Sequence, residues 1–171
     1  MQGEFRFSFG PWNIHEGADP FGPEVRKTLE FNEKLEQYKK LGFDGVQFHD
    51  DDAVPNINEK SPLEIVKEAE ALKKVLDEHE LTAELVAPRL WMDPRTIDGG
   101  FTSNCPECRQ YALDRLKRTA DIATALGTKN IVFWLAREGT YIRESKDPVV
   151  ATERIAEALQ IVLDYNPEVR V

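Results

Sequence analysis

Residues 45–55 read GVQFHDDDAVP. The apolar start reads as a buried strand, and it runs without a break into His49, Asp50, Asp51 and Asp52. Three readings of those charges are open: a solvated turn, a metal site, or a hydrogen-bonded histidine that handles a substrate. The choice depends on whether the strand belongs to a parallel α/β fold, because such folds gather function at the carboxyl ends of their strands.

The flanking sequence repeats a strand–helix alternation. FRFSFGPW (residues 5–12) has strand alternation, and residues 25–41 place Val25, Leu29, Leu35, Tyr38 and Leu41 at helical spacing before Gly42. After the strand 44–49, Ser61-Pro62 with Glu64 forms a capping box that opens a helix through Leu76. TAELVA (82–87) is a third strand, Pro106 to Leu126 a third helix ended by Gly127, and KNIVFWLA (129–136) a fourth strand. Asp147-Pro148 opens a fourth helix to about Leu163, and PEVRV (167–171) begins a fifth strand. Strands separated by helices imply parallel pairing. No strand is followed by GxGxxG or a P-loop, so the pattern favours part of a (βα)₈ barrel over a nucleotide-binding doubly wound sheet. A full barrel takes about 250 residues. The 171 residues here are therefore expected to form the first four βα units and the start of the fifth strand, the amino-terminal half of one domain.

Bulk composition narrows the function. The chain carries a net charge of −9 and has no basic stripe, which works against nucleic-acid and anionic-membrane partners. No apolar run approaches the roughly 20 residues of a membrane span. Met1-Gln2-Gly3-Glu4-Phe5 lacks the pattern of a secretory signal, and Gln2 stands where N-myristoylation needs glycine, so a soluble cytoplasmic protein is expected. Cys105 and Cys108 offer only two of the four ligands of a structural zinc and read as reduced thiols at a helix start.

Reading only the positions after each strand yields Trp12, Asn13 and His15, then His49 to Asp52, then Arg89 and Trp91, then Trp134, Arg137 and Glu138. All three tryptophans and two of the three histidines fall at this one rim, while His79 reads as a solvated residue near a helix end. Indoles pack on the C–H face of a sugar. A histidine can move a proton on or off a ring oxygen, and an aspartate three residues on can fix its tautomer. On this logic His49 and Asp52 are the reactive couple, with Asp50 and Asp51 as support or solvated turn. The competing reading is that HDDD merely caps the next segment, and that each tryptophan is core.

At these residues the sequence resembles xylose isomerase of the shorter, actinobacterial-type class. FRFSFGPWNI, GADPFG, LGFDGVQFHDDD, DGGFTSN, RQYAL and WLAREG follow that family's order and approximate spacing over nearly the whole chain. The resemblance implies a TIM barrel in a homotetramer of intimate dimers, interconverting D-xylose and D-xylulose and also D-glucose and D-fructose. The ring opens first, and a hydride then moves from C2 to C1 beside two divalent cations (Mg²⁺, Mn²⁺ or Co²⁺). By motif position His49 corresponds to the ring-opening histidine and Asp52 to the aspartate that orients it. Trp12 and Trp134 correspond to the aromatic walls. Phe21 corresponds to a phenylalanine inserted by a neighbouring subunit, and Arg137 and Glu138 to site support. The family's TNLF is here PRLW, which puts the bulkier Trp91 at the phenylalanine position, and WGGREG is here WLAREG, with Leu135 and Ala136 for glycines. The family's metal ligands and hydride-shift lysine belong to strands five to eight, so none carries over onto this chain, and the bare chain is expected to be inactive and poorly soluble. Two other readings remain: a non-catalytic half-barrel that self-associates, and a relative in the same barrel superfamily, a sugar epimerase or a metal-dependent endonuclease, the acidic charge counting against the nuclease.

Overall fold

The structure is a computed structural model, and it describes residues 5–14, 25–27 and 29–171. His15 and Phe21 lie outside the described residues. Three parallel strands form the sheet, β1 (Ser8–Phe9), β2 (Gly45–His49) and β3 (Thr82–Ala87), in the order β1-β2-β3. Their order in space is their order in the chain. Two parallel bridges, Val86↔Ile131 and Asn130↔Arg170, carry the pairing two positions further. The result is an arc of a TIM barrel, as the strand–helix alternation implied.

The helices cover one face. They are α1 (Phe31–Lys40), the single turn α2 (Asp50–Ala53), α3 (Pro62–Glu78), α4 (Pro106–Ala125) and α5 (Pro148–Tyr165). The pleat alternates side chains between the two faces of the sheet. Val46, Phe48 and Val86 are buried in a core shared with Leu76, Leu116 and Ala120 from α3 and α4. Gln47, His49, Leu85 and Ala87 line the opposite, concave face.

Local chemistry explains where the elements start and stop. Ser61 and Glu64 exchange capping bonds, with Ser61 N–H donating to Glu64 Oε2 at 2.8 Å. Asp147 accepts from the Val149 and Val150 amides at the head of α5. Gly42 and Gly127 adopt φ of +79° and +78° just after α1 and α4, the left-handed turn that glycine adopts without strain.

Four expected elements come out shorter, the fifth strand (167–171) among them, where Arg170 alone pairs, with Asn130. The first helix starts at Phe31, not Val25, because Glu30 is extended and forms a capping box with Glu33. The first strand is only Ser8–Phe9, since Pro11 removes an amide donor and residues Pro11–Asn13 turn into a single 3-10 turn. The fourth strand is reduced to its bridges and the bonds around Asn130–Val132. Past that point the backbone turns, with Glu138 N–H donating to Leu135 O at 3.4 Å, as the Glu138 carboxylate is drawn to another loop.

Phe48 is fully buried. Phe48→Ala is expected to cost about 3–5 kcal/mol in a denaturant titration, against about 1 kcal/mol for Ser61→Ala.

Candidate functional site

The end of β2 organises the rim. His49 is the N-cap of α2 and Asp52 its third residue, and the two exchange capping bonds. The same pair also meets through its side chains, with His49 Nδ1 and Asp52 Oδ2 2.7 Å apart. HDDD is thus both the cap and an imidazole–carboxylate couple, so the two readings coexist.

Asp50 is neither turn nor solvated. It is fully buried and accepts from Arg115 Nε at 2.6 Å and Nη2 at 2.8 Å, a bidentate pair across to α4. Its Oδ1 also accepts from the amides of Asp51 and Arg89, both at 3.0 Å. Burial opposes the charge on Arg115, yet the Asp50 hydrogen bonds and charge outweigh it and hold that guanidinium firmly protonated. Tyr111 OH accepts from Arg115 Nη1 at 3.0 Å, tying the loop of Asp93 and Arg95 to the same network.

Arg89, just past β3, closes the other side. Its Nη2 lies 2.5 Å from Asp52 Oδ1 and 2.6 Å from His49 Nδ1, and its Nε is 3.0 Å from Asp51 Oδ1. That last contact is not aligned for a hydrogen bond, so both buried atoms lack a hydrogen-bond partner among the described residues. Burial pushes the Asp51 carboxyl up, helped by the Asp50 charge and opposed by Arg89 and Arg115. For Asp52, burial also acts upward, but the His49 hydrogen bond and the Arg89 charge overcome it and the carboxyl lies below its usual range. Tyr38, buried beneath with no partner for its hydroxyl among the described residues, is pushed up to about 12 by burial and then by Asp52.

The aromatic residues converge as the sequence implied. Trp12 tilts over His49 with ring centroids 4.2 Å apart, Trp91 meets His49 edge-on at 5.1 Å, and Trp134 lies 6.1 Å from Trp91. Trp12 and Trp134 are 37% and 65% exposed, which removes core packing as their role among the described residues. These rings, with Gln47, Leu85, Arg89, Val132 and Ala136, line a cleft of about 460 Å³. Ala136 borders it and Leu135 does not.

Other rim residues act at a distance. Glu138 is buried and accepts from the amides of Gly100, Phe101 and Thr102, pinning the GGFT loop. Arg137 is exposed beside a separate hollow of about 300 Å³. His79 is half-buried, not solvated, because its Nδ1 bonds Val75 O at 2.8 Å at the end of α3. Cys105 and Cys108 are free thiols, and the Cys108 thiol is raised by a hydrogen bond with Cys105 rather than lowered by the helix start.

Sequence reasoning assigned Arg89 no role and missed Arg115. Arg115 had a legible signal, since it sits on the buried stripe of α4 with Ala112, Leu116 and Thr119. Arg89 was legible as a rim position after the third strand, but its role was not, because its partners are about 40 residues away in sequence.

Among the described residues no group of three or more His, Cys, Asp or Glu side chains is placed to hold a metal ion. Asp50, Asp51 and Asp52 already face guanidinium groups. These residues do not fit a two-cation centre. Among the described residues, no helix is long and apolar enough to cross a membrane.

Parallel strands in chain order, helices outside and a cleft at the carboxyl ends of the strands define a protein of the TIM-barrel class. Residues 35–171 match the family described as Xylose isomerase-like TIM barrel, and the chain belongs to that family. Its fold is similar to that of D-psicose 3-epimerase solved with D-fructose, with TM-score 0.56, 19% identity, and 82% of this chain and 44% of that one covered. It is similar to 3-keto-D-glucoside 4-epimerase from E. coli, with TM-score 0.58, 18% identity and coverage of 88% and 50%. A xylose isomerase domain protein from Planctomyces limnophilus matches with TM-score 0.52, 18% identity and coverage of 77% and 45%. The chain spans about half the length of these structures.

Two predictions follow from this geometry. Arg115→Met leaves the Asp50 carboxylate buried without its partner and is expected to cost about 3–5 kcal/mol in chemical denaturation. The stabilisation from Asp52 is present above the unfolded carboxyl value and lost as pH falls through its lowered folded value. Asp52→Asn should therefore reduce stability near neutral pH, with the difference from wild type closing as the solution is acidified.

Proposed function

We propose that this chain is the amino-terminal half of a sugar isomerase of the xylose isomerase type, contributing the sugar-binding wall and the proton-handling histidine. The observation that carries the reading is the single cleft in which Trp12, His49, Trp91 and Trp134 succeed one another. Membership in the family and the half-length match to a xylose isomerase domain protein support it.

The chemistry follows from the side chains present. Trp12, Trp91 and Trp134 offer flat apolar faces for the C–H surface of an aldose and exclude water from it. Gln47 and Arg89 supply donors for hydroxyl oxygens. His49, held by Asp52, meets the sugar through its other ring nitrogen and handles the proton at the ring oxygen during opening. Two divalent cations would polarise the oxygens for the hydride shift in the whole enzyme. The described residues supply no seat for them. Phe21 would act from a neighbouring subunit of a homotetramer, and both the cytoplasmic location and the aldose substrate belong to the same proposal.

A second reading, a sugar epimerase, is favoured by the named epimerases among the structural neighbours and by Arg89 and Trp91, which depart from the isomerase pattern. One assay separates the two. The full-length gene product with Mg²⁺ is expected to convert D-xylose to D-xylulose, with His49→Asn lowering kcat by about 10²–10⁴-fold. Epimerisation of a ketose without xylulose formation would replace the first reading with the second, and neither product would end both.

A further inference from the structure

Cys105 and Cys108 take no part in the cleft. Both are free thiols, half-buried at the head of α4, a helix of 20 residues. Cys105 is the N-cap and Cys108 the third helical residue, the spacing at which a cap side chain meets the first turn. The ordinary roles for such a pair do not hold. Neither side chain belongs to the hydrophobic core, and Cys105 makes no side-chain capping bond among the described residues. Among the same residues, no third His, Cys, Asp or Glu joins the two thiols as a metal ligand.

The fold instead holds the two sulfurs side by side. The Cys108 thiol shares a hydrogen bond with Cys105, and the Cys105 thiol donates to Glu107 Oε2 at 3.1 Å. The backbone of Cys105 is fixed on both sides: its amide donates to Ser103 Oγ at 3.2 Å, and its carbonyl accepts from the Arg109 amide at 3.1 Å. Ser103 is buried, and its carbonyl accepts from Arg109 Nη1 at 2.7 Å and from Arg154 Nη1 at 3.1 Å. The loop that carries Cys105 and the turn that carries Cys108 are thereby tied to each other and to α5. Helical residues three apart have Cβ atoms about 5–6 Å apart, against roughly 3.5–4.5 Å across a disulfide, and the N-cap lies off the helical path and is free to close the difference.

We propose that Cys105 and Cys108 form a reversible redox couple whose substrate is a small-molecule disulfide. One cysteine loses its proton to solvent, and its thiolate attacks the small disulfide. A mixed disulfide forms, and the first small thiolate leaves and takes up a proton. The second cysteine, deprotonated in turn, attacks the sulfur of the first. The Cys105–Cys108 bond forms and the second small thiol is released. The protein sulfurs lose two electrons and the small disulfide gains the same two. Excess small thiol runs the steps backward. Nothing in this couple involves His49 or the cleft, so it stands or falls separately from the sugar reading.

The 171-residue chain contains just these two cysteines, so its intact mass reads the couple directly. The native chain is incubated with glutathione at a rising oxidised share, quenched with acid and alkylated. The expected product is a monomer lighter by two hydrogens, with peptide mapping joining Cys105 to Cys108 and excess reduced glutathione restoring the dithiol. Because the fold already holds the thiols together, half-oxidation of the native chain is expected at a glutathione ratio about tenfold more reducing than for the same chain unfolded in urea. Cys105→Ser and Cys108→Ser should each stop at a mixed disulfide with one glutathione. The proposal is overturned if the native chain stays a dithiol, links to a second copy, or closes no more readily than the unfolded chain. If either serine variant does not fold, the comparison of native with unfolded wild type decides the matter without any substitution.

Discussion

A single buried ion pair holds the rim together. Asp50, at the first position past β2, has no exposure, and Arg115 grips both of its oxygens from α4. Taking two charges out of water costs several kcal/mol each, and only full pairing offsets it. The remaining acceptor capacity of Asp50 is filled by the Asp51 and Arg89 amides, with Thr119 Oγ1 at 3.4 Å. Because those donors come from the strand end, from the segment after β3 and from α4, Asp50 can be satisfied only when all three are in place. The orientation of α2, and so the aim of His49, depends on it.

From that anchor outward the charges are shared in sequence. Arg115 spans Asp50 and Asp51, and Arg89 spans Asp51 and Asp52 before reaching the His49 ring. Three carboxylates within three residues would repel one another if left alone. Interleaved with two guanidiniums they form a strip whose last member is the imidazole at the edge of the cleft. The indoles of Trp12 and Trp91 bracket that ring, so it is positioned by charge on one side and by apolar surface on the other.

The sheet supplies the floor of the cleft through its pleat. Phe48 and Val86 point to the helices, and Gln47, His49 and Leu85 point to the concave side. The strand–helix order, the capping box at Ser61 and the glycine stops at Gly42 and Gly127 were legible in advance, since each rests on a few adjacent residues. The fourth strand was less so. Its residues have strand character, but the Glu138 carboxylate bends the chain back to the amides of residues 100–102, a contact 36–38 residues distant. Leu135 and Ala136 look equivalent as replacements of glycine, yet only Ala136 reaches the cleft.

The amino-acid sequence by itself determined the parallel α/β pattern, the gathering of tryptophans and histidines at one rim and the pairing of His49 with Asp52. These are properties of periodicity and of i,i+3 spacing, which local geometry enforces. Only the tertiary structure decided that Asp50 is a buried anchor, that Trp134 faces the cleft rather than the core, and that Arg89 shares Nδ1 with Asp52. Long-range electrostatics in a desolvated site depends on which distant groups are brought within 3 Å, and residue spacing along the chain carries no record of that distance.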